Sequence, residues 1–110
     1  MTAGIYAIVH IASGRRYIGS SISVYRRWQW HQMDLRNGNH HCRKLRELWQ
    51  SNPRTASFQL ILLSECDPDD LDRLEQQEID RAVAERLCLN TMNTPEGKQI
   101  MDERGRQLAA

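Results

Sequence analysis

The sequence predicts an α/β domain in which a small three-stranded sheet packs with helices. Three observations carry this reading. Residues 5 to 11 alternate with a period of two, two stretches between residues 24 and 50 have helical apolar spacing, and a short apolar run, "FQLILLS", precedes a long acidic helical pattern.

In the opening strand Ile5, Ala7, Val9 and Ile11 alternate with Tyr6, Ile8 and His10, which places the odd positions on a core. Ala12-Ser13-Gly14-Arg15 is a turn, and residues 16–21 resume as a second strand. With Ser13-Gly14 as a two-residue loop, Tyr6 lies opposite Ser21 and Tyr17 opposite His10. Both tyrosines then project from one side of the hairpin, away from the odd-numbered core face. That shared side survives any slip of two.

Ser21 or Ser23 caps a helix through "VYRRWQWHQMDLR", with Val24, Trp28 and Leu35 on the buried stripe and Asn37-Gly38 at its end. "HHCRKLRELWQ" is a second helix that buries Cys42, Leu45, Leu48 and Trp49 and closes at Asn52-Pro53. "FQLILLS" reads as a buried central strand, because it is short and bounded by turn residues. Asp67-Pro68-Asp69 opens an acidic helix that runs to about Arg86, with Leu71, Leu74, Ile79, Ala82 and Val83 inward. "LCLNT" is a short extended piece. The expected division is a domain over residues 1–93 and a polar tail or short helix over 94–110.

Composition narrows the function. The chain has 110 residues, enough for one domain, and no apolar run long enough to cross a membrane. No secretory signal is visible, so the expected location is cytoplasmic. Cys42, Cys66 and Cys88 lack CxxC spacing and read as reduced thiols rather than disulfide or zinc ligands. The net charge of +1 hides an asymmetry: residues 1–55 carry +7 and residues 56–110 carry −6. A basic first half suits phosphate, although such halves also occur in ordinary soluble domains.

Three groups of residues bear chemistry. Glu75 falls on the stripe of Leu71 and Ile79, where a carboxylate is costly unless it is paired or holds a cation. One carboxylate with waters and a phosphate suits Mg²⁺; an arginine partner at the stripe's edge is the plainer explanation. Arg27 and His31, one helical turn apart, offer a guanidinium for phosphate and an imidazole for a proton, or form a solvated basic face. Tyr6 and Tyr17 are strand packing, or bases that need help from a neighbour, since a phenol titrates near pH 10. His40 and His41 do not form a metal cluster if both lie on a helix, where adjacent side chains diverge by about 100°.

The spacing joins these groups. "GIY", ten residues, "YIG" and Ser20, then Arg27, His31, a glutamate in "EQQEI" and a closing Asn90 occur in one order. Over residues 4 to about 91 the chain resembles the GIY-YIG nuclease family, in particular the catalytic domain of its homing endonucleases. The resemblance implies an antiparallel three-stranded sheet flanked by helices and a divalent-metal-dependent DNA endonuclease that nicks one strand at a time. Tyr6 would activate the attacking water, and Tyr17 would bind water or phosphate or take the base role itself. Arg27 would stabilise charge on the phosphoryl oxygens and His31 would accept the tyrosine's proton. Glu75 would hold a single Mg²⁺ or Mn²⁺, and Asn90 would support the site's hydrogen bonds. Contact with DNA would fall to Gly19, Ser20, Arg26 and His40. Glu78 departs from the family by standing where an aromatic is usual, and would pair with Arg81 or Arg86 or modestly alter metal affinity.

No zinc finger, helix-turn-helix or helix-hairpin-helix pattern follows Asn90, which suggests a separated catalytic domain or a stand-alone nuclease of low specificity. A structure-specific nuclease working with a partner and a silent nucleic-acid-binding module are the alternatives. Retention of Tyr6, Tyr17, Arg27, His31 and Glu75 together speaks against the silent module.

Overall fold

The computed structural model describes residues 2–51 and 57–90. Strands β1 (Gly4–His10) and β2 (Arg16–Ser21) are followed by helices α1 (Val24–Arg36) and α2 (Arg43–Ser51). Strand β3 (Phe58–Glu65), one 3₁₀ turn (Pro68–Asp70) and helix α3 (Leu71–Ala84) complete the order. The sheet runs β2-β1-β3 with both pairings antiparallel. Among the described residues no helix is long and apolar enough to cross a membrane.

β1 is central because it is apolar on both faces. Tyr6 and Ile8, with Tyr17 of β2, pack against Val24, Leu35, Leu45 and Trp49 of α1 and α2. Ile5 and Ala7, with Ile18, pack against Ile79 and Ala82 of α3. Each fully buried isoleucine or leucine in these layers contributes about 1.5–3 kcal/mol. Gly4 has no room for a side chain, since a β-carbon there would collide with the carbonyl of Ser64 on β3.

Several expectations are corrected. The tyrosine face of β1 is a second core, so the odd positions do not alone face the interior, and Ile11 lies in the turn, 56% exposed. The hairpin register is shifted by two: Tyr6 pairs with Gly19 and Ile8 with Tyr17. The cause is a longer turn. His10 N–H donates to the Arg15 carbonyl and Gly14 N–H to the His10 carbonyl, while the Ser13 hydroxyl meets both His10 Nδ1 and Arg15 N–H. β3 is an edge strand rather than the central one; Gln59 and Ile61 on it are exposed.

The helices follow their caps. Ser23 is the N-cap residue of α1, without a side-chain capping bond, and Ser21 Oγ accepts from Ser23 N–H. α1 ends in a Schellman motif: Gly38 has φ +73°, its N–H donates to Leu35 O, and Asn39 N–H donates to Asp34 O. α2 starts at Arg43, later than expected, which leaves His40, His41 and Cys42 in the connection. α3 ends two residues early. Arg86 takes φ 60°, with Arg86 N–H on Val83 O and Leu87 N–H on Ala82 O, and Val83 is 44% exposed rather than inward. Glu78 pairs with Arg81 at 3.5 Å.

The extended piece after α3 lies along β2. Arg16 N–H donates to Leu87 O and Leu89 N–H to Arg16 O, both at 2.7 Å, and Arg16 bridges Cys88 in parallel. Asn52-Pro53 and the tail over 94–110 lie outside the described residues.

Candidate active site

The pairing of Tyr6 with Gly19 aims the two phenols to one side of the sheet, over α1 and the loop before α2. Both rings are buried. A β-carbon on Gly19 would overlap the Tyr6 phenol, so only glycine lets the ring lie flat against β2.

Three imidazoles meet these phenols. Tyr6 Oη is 2.6 Å from His31 Nε2, and His31 Nδ1 is 2.7 Å from His40 Nε2. His40 Nδ1 accepts from Cys42 N–H at 3.0 Å. His41 is exposed, with Nε2 3.0 Å from Tyr17 Oη and its ring stacked on His40 at 4.5 Å. The premise that His40 and His41 diverge on a helix is thus corrected: both precede α2 and their rings lie 22° from parallel.

Arg27 projects from α1, half-buried, with its guanidinium 5.5 Å from the centre of the Trp30 ring. Its Nε is buried and makes no hydrogen bond among the described residues. Arg26 is exposed and also lies over Trp30, at 5.7 Å.

Glu75 stands on α3 where the helical pattern put it, 2% exposed. Ser20 Oγ donates to its Oε1 at 2.6 Å, which satisfies part of the cost of burying a carboxylate. Tyr17 senses both sides of the site. Its hydroxyl is held well above the usual phenol range, first by burial, then by Tyr6, Cys42 and the Glu75 carboxylate, with Arg27 opposing.

Asn90 lies on β2 rather than among the phenols. Its Oδ1 accepts from Ile18 N–H and its Nδ2 donates to Ile18 O, both at 2.9 Å. It continues the edge pairing of β2 with a side-chain amide and so holds the residue between Tyr17 and Gly19.

The structure brings Tyr6, Tyr17, His31 and His40 into one cluster, with Arg27 and Glu75 acting on Tyr17 electrostatically. Ser20 belongs to Glu75, Asn90 to the backbone, and Arg26 to the outer face of α1. His41 was not among the residues expected at the site. The sequence signal was the adjacent pair His40-His41, discounted on the helical premise.

The fold is a short antiparallel sheet with two buried phenols on one face and, on the helix packed against the other, a buried carboxylate. The family model of the GIY-YIG catalytic domain matches residues 2–86, and the chain belongs to the GIY-YIG family. Among solved structures it is similar to the catalytic domain of the intron endonuclease I-TevI, as a point variant, at 25% identity and TM-score 0.74, covering 86% of this chain and 97% of that one. A second structure of the catalytic domain of the homing endonuclease I-TevI gives 25% identity and TM-score 0.72, covering 82% of this chain and 98% of that one. A search of curated proteins finds no match.

Proposed function

We propose that this chain is a divalent-metal-dependent DNA endonuclease that hydrolyses phosphodiester bonds one strand at a time. The observation that carries the proposal is the shared face of Tyr6 and Tyr17, with the Tyr6 hydroxyl on His31 and the buried Glu75 carboxylate held by Ser20, the residue after Gly19. The two similar structures are catalytic domains of endonucleases, which supports the same substrate class.

The donor set fits Mg²⁺ or Mn²⁺ and not a cage of protein ligands. Glu75 is a single buried carboxylate, and among the described residues no group of three or more His, Cys, Asp or Glu side chains is placed to hold a metal. A Mg²⁺ ion keeps most of its waters and needs only one or two protein carboxylates. Glu75 would hold it, and the bound ion would supply positive charge to the oxygens of the phosphate.

The remaining work falls to the chain's own groups. Tyr6 removes a proton from the attacking water, Tyr17 as a neutral phenol orients water or phosphate, and Arg27 meets the charge that grows on the phosphoryl oxygens. Arg27 suits this task because its Nε is already out of water and without a protein acceptor among the described residues. His41 and Arg27, the more exposed members, mark the side from which phosphate arrives.

Nicking of supercoiled plasmid by the full chain tests the proposal, with Mg²⁺ or Mn²⁺, with EDTA, and with Glu75→Ala. Metal-dependent nicking that disappears in Glu75→Ala supports it. Nicking that persists in EDTA, or is unchanged in Glu75→Ala, refutes the metal role. Absence of nicking even when the chain is fused to an unrelated DNA-binding domain refutes the activity.

A further inference from the structure

We infer that His40 is a positioning residue that sets the direction of the hydrogen bonds through His31, so that His31 Nε2–H donates to the Tyr6 oxygen. The inference deepens the proposed function and rests on Tyr6 being the group that activates water.

The direction follows from one backbone amide. Cys42 N–H can only donate, and it points at His40 Nδ1 from 3.0 Å. His40 Nδ1 therefore carries a lone pair, and the proton of this ring is on Nε2. That N–H faces His31 Nδ1 at 2.7 Å, which must accept it. A neutral His31 then has its proton on Nε2, 2.6 Å from Tyr6 Oη. The reverse tautomer at either ring, or an imidazolium, sets two N–H groups head to head.

The surroundings hold this order in place. His40 is fully buried and His31 nearly so. The His40 ring meets His31 edge to edge through their hydrogen bond, with centroids 4.9 Å apart, and stacks on the His41 ring at 4.5 Å. Residues 40 and 42 are tied down by their backbones and side chains: Arg46 Nη1 donates to His40 O at 2.9 Å, and Cys42 Sγ donates to Leu89 O at 3.1 Å. Both ring nitrogens of His40 are engaged, one by Cys42 N–H and the other by His31, so its part in catalysis is exerted through His31.

The chemical consequence is a different role for His31 from the one the family resemblance implied. A ring that already bears the Nε2 proton does not take the phenol's. It stabilises the phenolate by donating to it, once the phenol proton has gone to solvent. In hydrolysis the Tyr6 phenolate accepts one proton of the attacking water as the water oxygen bonds to phosphorus and the bond to the leaving oxygen breaks. The leaving oxygen takes a proton from solvent, and Tyr6 returns its own to solvent.

Long-range ¹H–¹⁵N correlation NMR of the ¹⁵N-labelled full chain reads the tautomers directly, with His31 and His40 signals assigned through His31→Gln and His40→Gln. The expected result is the Nε2–H tautomer at both rings. An Nδ1–H tautomer or an imidazolium at His31 at neutral pH overturns the inference, whatever the nuclease activity. His40→Gln keeps an N–H donor for His31, whereas His40→Leu removes it; thermal melts establish that each variant is folded. Plasmid nicking should show kcat about 10- to 100-fold lower in His40→Leu with KM unchanged, and largely recovered in His40→Gln. Equal kcat in both folded variants overturns the positioning role. Failure of the proposed nuclease reading is separate: it shows as no nicking by the unmodified chain, while the tautomers are still read by NMR.

Discussion

Asn90 holds Ile18 with both ends of its amide, accepting from the Ile18 N–H and donating to the Ile18 carbonyl at 2.9 Å each. A side chain from the extended piece after α3 thus replaces a missing strand partner at the edge of β2. Ile18 is the residue between the two members of the site that must be held still, Tyr17 and Gly19.

Asn90→Ala leaves a buried N–H and a buried carbonyl unsatisfied, at a cost of about 2–4 kcal/mol. For a domain of this size each kcal/mol moves the midpoint by about 4–8 °C. Thermal unfolding followed by circular dichroism should show Asn90→Ala melting at least about 8 °C below the parent. A shift within 2 °C contradicts the structural role.

Gly19→Ala puts a methyl group where the Tyr6 phenol lies. The ring must move away from β2 and from His31, and overpacking of this kind costs about 1–3 kcal/mol. Nicking should fall by more than the loss of folded protein explains. A Gly19→Ala chain with parental stability and parental rate would show that the fit of phenol to glycine is incidental.

Tyr17 makes stability depend on pH at the alkaline end. Its hydroxyl is raised above 10 in the folded chain by burial, while the unfolded chain has an ordinary phenol. Below pH 10 both states hold the proton and the contribution is complete. As pH rises past 10 the unfolded state releases its proton first, so stability falls. Urea denaturation between pH 8 and 11 should show this decline, and Tyr17→Phe should flatten it. A decline of the same slope in Tyr17→Phe assigns it to other groups.

Arg86 closes α3 with φ 60°, a conformation that favours glycine. Arg86 is exposed, and no hydrogen bond or ion pair of its side chain offsets that cost among the described residues. Arg86→Gly should stabilise the domain by about 0.5–1 kcal/mol. Chemical denaturation measures it directly; a loss of stability contradicts the account of the helix end.

Much of the site was legible in the sequence because it rests on local spacing. The same-side placement of Tyr6 and Tyr17 follows from strand parity, and the burial of Glu75 from its position between Leu71 and Ile79. The register was not legible. It is set by the Ser13 hydroxyl and the backbone bonds between residues 10 and 15, which a turn dipeptide does not reveal. The central position of β1 was hidden because Tyr6 and His10 look polar in an alternation, although Tyr6 and Ile8 face a core of their own. The contacts among His31, His40 and His41 depend on α2 beginning at Arg43, and no capping signal marks that start. Asn90 was read as part of the site through order alone; that it acts on the Ile18 backbone is a tertiary fact.

The most direct test of the central claim is the single-turnover nicking rate of Tyr6→Phe beside that of the parent, in Mg²⁺ and with both chains shown to be folded. Loss of the hydroxyl removes the group assigned to activate water, so the rate should fall by about 10²-fold or more. A rate within a factor of three of the parent would contradict the account and transfer the base role to another group on the same face, with Tyr17 the first to examine.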